Sequence, residues 1–141
     1  MTRPDDEALI AAARQSATRA YAPYSNFHVG AAVLTAEGDI VAAANVENAS
    51  YGLSLCAETN AIMAAVSAGA RRIARIAVIG YPASDPQTSA PAMPCGRCRQ
   101  IMVEFAPRET GVLLIAPDGS GVREIAVGEL LPHAFDSDAL S

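Results

Sequence analysis

Three cysteines and one glutamate carry the chemistry that this chain advertises. Cys56-Ala57-Glu58 is followed, well downstream, by Pro94-Cys95-Gly96-Arg97-Cys98, and these are the only cysteines in 141 residues. Three soft thiolate ligands suit a zinc ion whose fourth position stays open to water, the arrangement of a catalytic site. Glu58, two residues past a ligand, can stand beside the metal without binding it and move protons to and from that water. Three thiolates around a divalent ion leave one negative charge in excess. That charge opposes acidification of the water and calls for nearby dipoles or cations to offset it.

Each residue has an ordinary explanation when taken alone. A lone C-x-x-C is also a redox pair. Cys56 by itself is a small buried apolar side chain, and Glu58 a first-turn carboxylate that suits a helix dipole. His28 or His133 could close a structural zinc site, but neither has a tight spacing to the cysteines. The coincidence of Cys-x-Glu with Pro-Cys-x-x-Cys favours the catalytic reading over all of these.

The elements that must position these residues follow from periodicity. Leu9, Ile10, Ala13, Ala17, Ala20 and Tyr21 share one face of a helix from Asp5 to Tyr21, ended by Pro23. Phe27–Thr35 and Ile40–Asn45 read as a hairpin turned at Glu37-Gly38-Asp39, and Asn48–Leu55 as an irregular loop. A helix is expected over Cys56–Ala68, with Ile62, Met63 and Val66 inward and Gly69 as its stop. Ile73–Gly80 is a strand, and Tyr81–Met93 a long Pro/Ser/Ala-rich loop that is a candidate gate. Pro94 suits the opening position of the next helix, along which Cys98, Ile101, Met102 and Phe105 follow a 3–4 spacing. Val112–Ala116 and Val122–Val127 complete the strands around a Pro117-Asp118-Gly119 turn, and Gly128–Phe135 is a short helical or irregular end. The order α-β-β-α-β-α-β-β implies one α/β domain over residues 1–141, a three-layer α-β-α sandwich around a mixed five-stranded sheet. Both cysteine clusters then fall at helix starts, where unpaired N–H groups favour thiolate.

Composition narrows the partners. The apolar share of 51% and charged share of 18% describe a compact domain with a sizeable core. Net charge is −5 and the ten basic residues are all scattered or paired Arg, which disfavours a nucleic-acid surface. The acidic stretch Met1-Thr2-Arg3-Pro4-Asp5-Asp6-Glu7 is not a secretory signal, and no apolar run suits a membrane span. Unpaired thiols point to a reducing, cytoplasmic setting.

Beyond the ligands, the chain closely resembles the small homotetrameric zinc-dependent cytidine deaminases. The resemblance runs from about Ala20 to Phe135. It rests on Tyr21-Ala22-Pro23-Tyr24-Ser25-Asn26-Phe27-His28-Val29-Gly30-Ala31-Ala32, on Asn45-Val46-Glu47-Asn48-Ala49-Ser50-Tyr51-Gly52, on Cys98-Arg99-Gln100, and on Leu130-Leu131-Pro132 with Phe135. It implies one Zn2+ per chain on Cys56, Cys95 and Cys98, with Glu58 as the proton shuttle. Zinc-activated water would convert cytidine and deoxycytidine to uridine and deoxyuridine with release of ammonia, a step of pyrimidine salvage. It further implies that Phe27 lines the pocket beside the nucleoside and that Asn45 and Glu47 hold the ribose 3′-hydroxyl. The backbone around Ala57 and Cys95 would read the pyrimidine edge. Phe135 would stack on the base from a neighbouring subunit, so that a homotetramer shares its active sites. The same resemblance leaves a second substrate class open, a modified cytosine nucleoside or a blasticidin S-like aminated heterocycle. One position departs from the pattern. Many relatives carry Arg directly after the catalytic Glu, where it pairs with the thiolates; here that residue is Thr59. Arg97, between Cys95 and Cys98, is a candidate source of the compensating charge.

Overall fold

A computed structural model describes residue 3 and residues 5–140. The acidic N-terminal reading rests partly on Met1, Thr2 and Pro4, which lie outside the described residues, as does Ser141 at the end of the domain. The elements are α1 (Asp6–Ala17), β1 (Phe27–Thr35), β2 (Ile40–Ala44), α2 (Ala57–Ser67), β3 (Ile73–Pro82), α3 (Gly96–Phe105), β4 (Gly111–Ile115), β5 (Val122–Ala126) and α4 (Val127–Leu130). Short 3-10 turns cover Tyr51–Leu53 and Ser137–Leu140. The strands form one mixed sheet in the order β2-β1-β3-β4-β5, in which only β3 and β4 run parallel.

Period-two alternation divides the core into two layers. Ala31, Val33, Ile76, Val78, Val112 and Leu114 face α2 and α3. Their neighbours Ala32, Ala77, Ile79, Leu113 and Ile115 face α1 through Leu9, Ala13 and Ala17. β3 and β4 are covered on both sides, and for that reason read as continuous apolar runs. α1 comes so close to β1 that a Cβ on Gly30 would stand 2.0 Å from the Ala13 carbonyl oxygen. Gly38 and Gly119 take φ of +97° and +81° in the two predicted turns. Among the described residues no helix is long and apolar enough to cross a membrane.

Three details differ from the periodic reading. α1 ends at Ala17, because Tyr21 is drawn into a parallel bridge beside Val46: the Tyr21 N–H donates to Asn45 O and the Glu47 N–H to Tyr21 O. Met63 faces outward at 41% exposure, since the buried stripe of α2 runs Glu58, Ala61, Ile62, Ala65 and a residue one step beyond Ile62 turns away. Pro94 precedes the N-cap Cys95, so it stands before the first turn of α3 instead of opening it.

A buried ion network, which periodicity does not reveal, ties three elements together. The Arg75 guanidinium is 2% exposed and donates to both oxygens of Asp6 at 2.7 and 2.9 Å and to both oxygens of Glu124 at 3.0 and 2.9 Å. Arg75→Met leaves the fully buried Asp6 carboxylate without its cation, and should lower stability by about 3–5 kcal/mol. The Arg75 hydrogen bonds hold the Asp6 and Glu124 carboxyls below their ordinary range. A carboxylate depressed in the folded state contributes stability above its unfolded pKa of about 4, and that stability is lost as pH falls through the folded value. Urea unfolding at neutral pH and near pH 3 should therefore show a steeper acid loss in the native chain than in Arg75→Met.

Candidate active site

The ends of two helices converge where α2 and α3 begin. Cys56 is the N-cap of α2 and Cys95 the N-cap of α3, while Cys98 lies in the first turn of α3. The three sulfurs all lie within 4.8 Å of one another, and Cys56 Sγ and Cys95 Sγ are 3.6 Å apart. Tetrahedral zinc with Zn–S bonds of about 2.3 Å requires S···S separations of about 3.8 Å, so the triangle fits that ion. Among the described residues this is the one such group of potential ligands. Neither His28 nor His133 belongs to it, and His28 instead stacks on Tyr81 with ring centroids 6.0 Å apart. A three-sulfur set with a position left for water is the catalytic form of a zinc site.

The thiols differ in their surroundings. Cys95 is exposed, Cys56 half-buried and Cys98 fully buried. Hydrogen bonding with Cys56 and burial push the Cys98 thiol far up, while the Thr59 hydroxyl, 3.4 Å from Cys98 Sγ, acts in the opposite direction. Glu58 belongs to the first turn of α2, is 4% exposed, and has its carboxyl pushed up by burial. A carboxyl in that condition holds a proton more readily than an exposed one and suits a relay working near neutral pH.

Glu58, Cys56 and Cys95 line a cleft of about 220 Å³. Its walls include Phe27 and Val29 from β1, Val78 from β3, Leu55, and Ala92 and Met93 from the loop before α3. Gly80 permits this wall, since a Cβ there would meet Ala92 Cβ at 2.7 Å and Phe27 Cε2 at 2.9 Å. Asn45 and Glu47 stand at the polar side. Asn45 bridges to β1: its Oδ1 accepts from the Val29 N–H at 3.0 Å and its Nδ2 donates to Phe27 O at 2.9 Å. One further donor and one further lone pair stay available on that amide. The Glu47 carboxylate accepts from the Tyr24 and Ser25 N–H groups and from the Ser25 hydroxyl, whose hydrogen bond above all holds it below its ordinary range. It is an ionised, fixed acceptor.

The structure thus brings Phe27, Asn45, Glu47, Glu58, Cys56 and Cys95 to one cleft, with Cys98 behind it. Ala57 is buried in the first turn of α2 and does not line it. Phe135 does not line it either: it is 63% exposed, and its carbonyl accepts from Gln100 Nε2. Sequence reasoning missed Val29, Ser54, Leu55 and Val78 as walls, while Ala92 and Met93 come from the Tyr81–Met93 loop expected as a candidate gate. Strand alternation beside Phe27 offered a signal for Val29, but nothing local offered one for the others.

Comparison with known proteins agrees with this geometry. Residues 3–114 match the family described as the cytidine and deoxycytidylate deaminase zinc-binding region. A cytidine deaminase of Halalkalibacterium halodurans is 44% identical over 137 residues, covering 97% of this chain and 98% of that protein. The crystal structure of a cytidine deaminase from Burkholderia pseudomallei superposes with a TM-score of 0.82 at 46% identity, covering 96% of this chain and all of that one. A blasticidin-S deaminase of Bacillus cereus is more distant, 33% identical over 132 residues, 92% of this chain and 91% of that protein.

Proposed function

This chain belongs to the cytidine and deoxycytidylate deaminase zinc-binding family, and we propose that it hydrolyses cytidine and deoxycytidine to uridine and deoxyuridine, releasing ammonia. The observation that carries the reading is the buried Glu58 carboxyl lining a cleft of about 220 Å³, beside three clustered thiols. Cys56, Cys95 and Cys98 would hold a zinc ion, which would supply the Lewis acidity that makes a water acidic enough to attack near neutral pH. Glu58 takes a proton from the attacking water, delivers it to N3 of the pyrimidine, and later assists protonation of the amine leaving C4. A C4–O bond forms, the proton of that hydroxyl passes to the amine, the C4–N bond breaks, and ammonia departs to leave the C4 carbonyl. Phe27 supplies an apolar wall for the base. Asn45 and Glu47 meet the sugar, and the N–H groups at the starts of α2 and α3, around Ala57 and Cys95, face the pyrimidine edge.

The exposed Phe135 ring, turned to no wall of its own cleft, supports a homotetramer in which that ring closes a neighbour's site. The net charge of −5 and dispersed Arg support a free nucleoside over a polynucleotide. Thiolate ligands support a reducing cytoplasmic setting and a role in pyrimidine salvage. The second reading, the same chemistry on a blasticidin S-like heterocycle, is favoured by the likeness to the Bacillus cereus enzyme.

A substrate panel of cytidine, deoxycytidine, a cytidine-containing oligonucleotide and blasticidin S separates these readings. Cytidine and deoxycytidine should be converted and the oligonucleotide left intact. Preferred turnover of blasticidin S would move the assignment to the second reading. In the same panel Glu47→Ala should lower kcat/KM for cytidine by about 10–100-fold, the worth of a charge-assisted hydrogen bond to the sugar.

A further inference from the structure

Resting on the zinc-site reading above, the most specific unassigned contact in the molecule is the one between Thr59 and Cys98. Three thiolates around a divalent ion carry an excess negative charge, and each is stabilised by donors. Cys56 and Cys95 reach solvent and occupy the N-cap positions of α2 and α3, in the favourable field of the helix starts. Cys98 is fully buried and has no such access to water. Cys56 and Glu58 also reach Cys98, and the neutral hydroxyl that meets it is that of Thr59, 5% exposed, with Oγ1 at 3.4 Å from Sγ. A thiolate has no proton to give, so in the metal-loaded state the hydroxyl is the donor. A threonine hydroxyl in a helix commonly turns back to a carbonyl three or four residues earlier. Here it crosses from α2 to α3. The two arginines that flank Cys98 in sequence donate elsewhere: Arg97 Nη1 to Ser54 O at 3.4 Å, and Arg99 Nε to Pro94 O and Nη1 to Leu130 O, both at 2.8 Å.

We infer that Thr59 is a positioning residue of the metal centre, whose hydroxyl donates to the Cys98 thiolate, offsets part of the excess charge and holds that sulfur in the ligand triangle. The contact joins the helix that carries Glu58 to the helix that carries two ligands. Its loss therefore loosens the metal and raises the barrier to proton transfer, with little effect on how the nucleoside is held.

The test is zinc affinity, measured by chelator competition, together with kcat and KM for the wild type, Thr59→Val, Thr59→Ala, Thr59→Ser and Arg97→Ala. Thr59→Val keeps the shape and removes the donor. It should bind zinc about 10–100-fold more weakly and lose kcat while KM stays nearly constant. Thr59→Ser, which restores the hydroxyl, should recover both. If Thr59→Val fails to fold, Thr59→Ala against Thr59→Ser makes the same comparison. Unchanged zinc affinity in the donor-less variants overturns the inference, as does a loss in Thr59→Ser equal to that in Thr59→Val, which would mark a packing role. Weakened zinc in Arg97→Ala alone would give the compensating role to Arg97 and also overturn it. A wild-type chain that binds zinc yet deaminates nothing breaks the proposed function, while the affinity series still decides this inference.

Discussion

Glu58→Gln should lower kcat for cytidine by about 10³–10⁴-fold, at the upper end of what a positioned acid/base contributes. The amide matches the carboxyl in shape and can hydrogen-bond, but it cannot carry one proton from water to N3 and a second from the C4 hydroxyl to the departing amine. The loss should fall on kcat, because the walls of the cleft are supplied by other residues, Phe27, Asn45 and Glu47 among them. Zinc should remain bound, since the sulfur triangle does not include Glu58. The melting temperature should hold or rise, because the change removes a carboxyl that burial disfavours in its charged form. A variant with unaltered turnover, or one that has lost its metal, would contradict the role.

Cys98→Ser should remove zinc and take turnover down by about a thousandfold or more, the several kcal/mol that a Lewis-acid metal supplies. The substitution is nearly isosteric, but a serine hydroxyl is a poor ligand for a metal that prefers thiolate. Cys98 is also the most enclosed of the three sulfurs, so water cannot easily replace the missing ligand. Metal analysis of the purified variant beside its activity checks this. Full zinc occupancy in Cys98→Ser would mean that the triangle is not the metal site.

Strong local signals made much of this arrangement readable before the structure. Continuous apolar runs marked β3 and β4, and Gly38, Gly69 and Gly119 marked stops and turns that need positive φ. Cys56 and Cys95 lie at helix starts because their neighbours favour helix and their own thiols suit the N-terminal field. What escaped the sequence was set by contacts distant along the chain. Tyr21 leaves the helix to pair with Val46, which no periodicity shows. Arg75 looks like an exposed charge interrupting a strand until Asp6 and Glu124 arrive from α1 and β5. Thr59 reads as a missing cation, and only the crossing of α2 and α3 reveals its hydroxyl at Cys98. The loop Tyr81–Met93 was legible as a candidate gate from its length and composition, but not which of its residues meet the cleft; Ala92 and Met93 wall it because Gly80 lets them approach.

The most direct test of the central claim is an absorbance assay on cytidine with the zinc-loaded chain, the chelated chain, and the chelated chain given zinc back. The loaded protein should form uridine and ammonia in equal amounts, the chelated protein should stop, and zinc should restore it. A folded, zinc-loaded chain that leaves cytidine unchanged, or a fully chelated one that still converts it, would contradict the account.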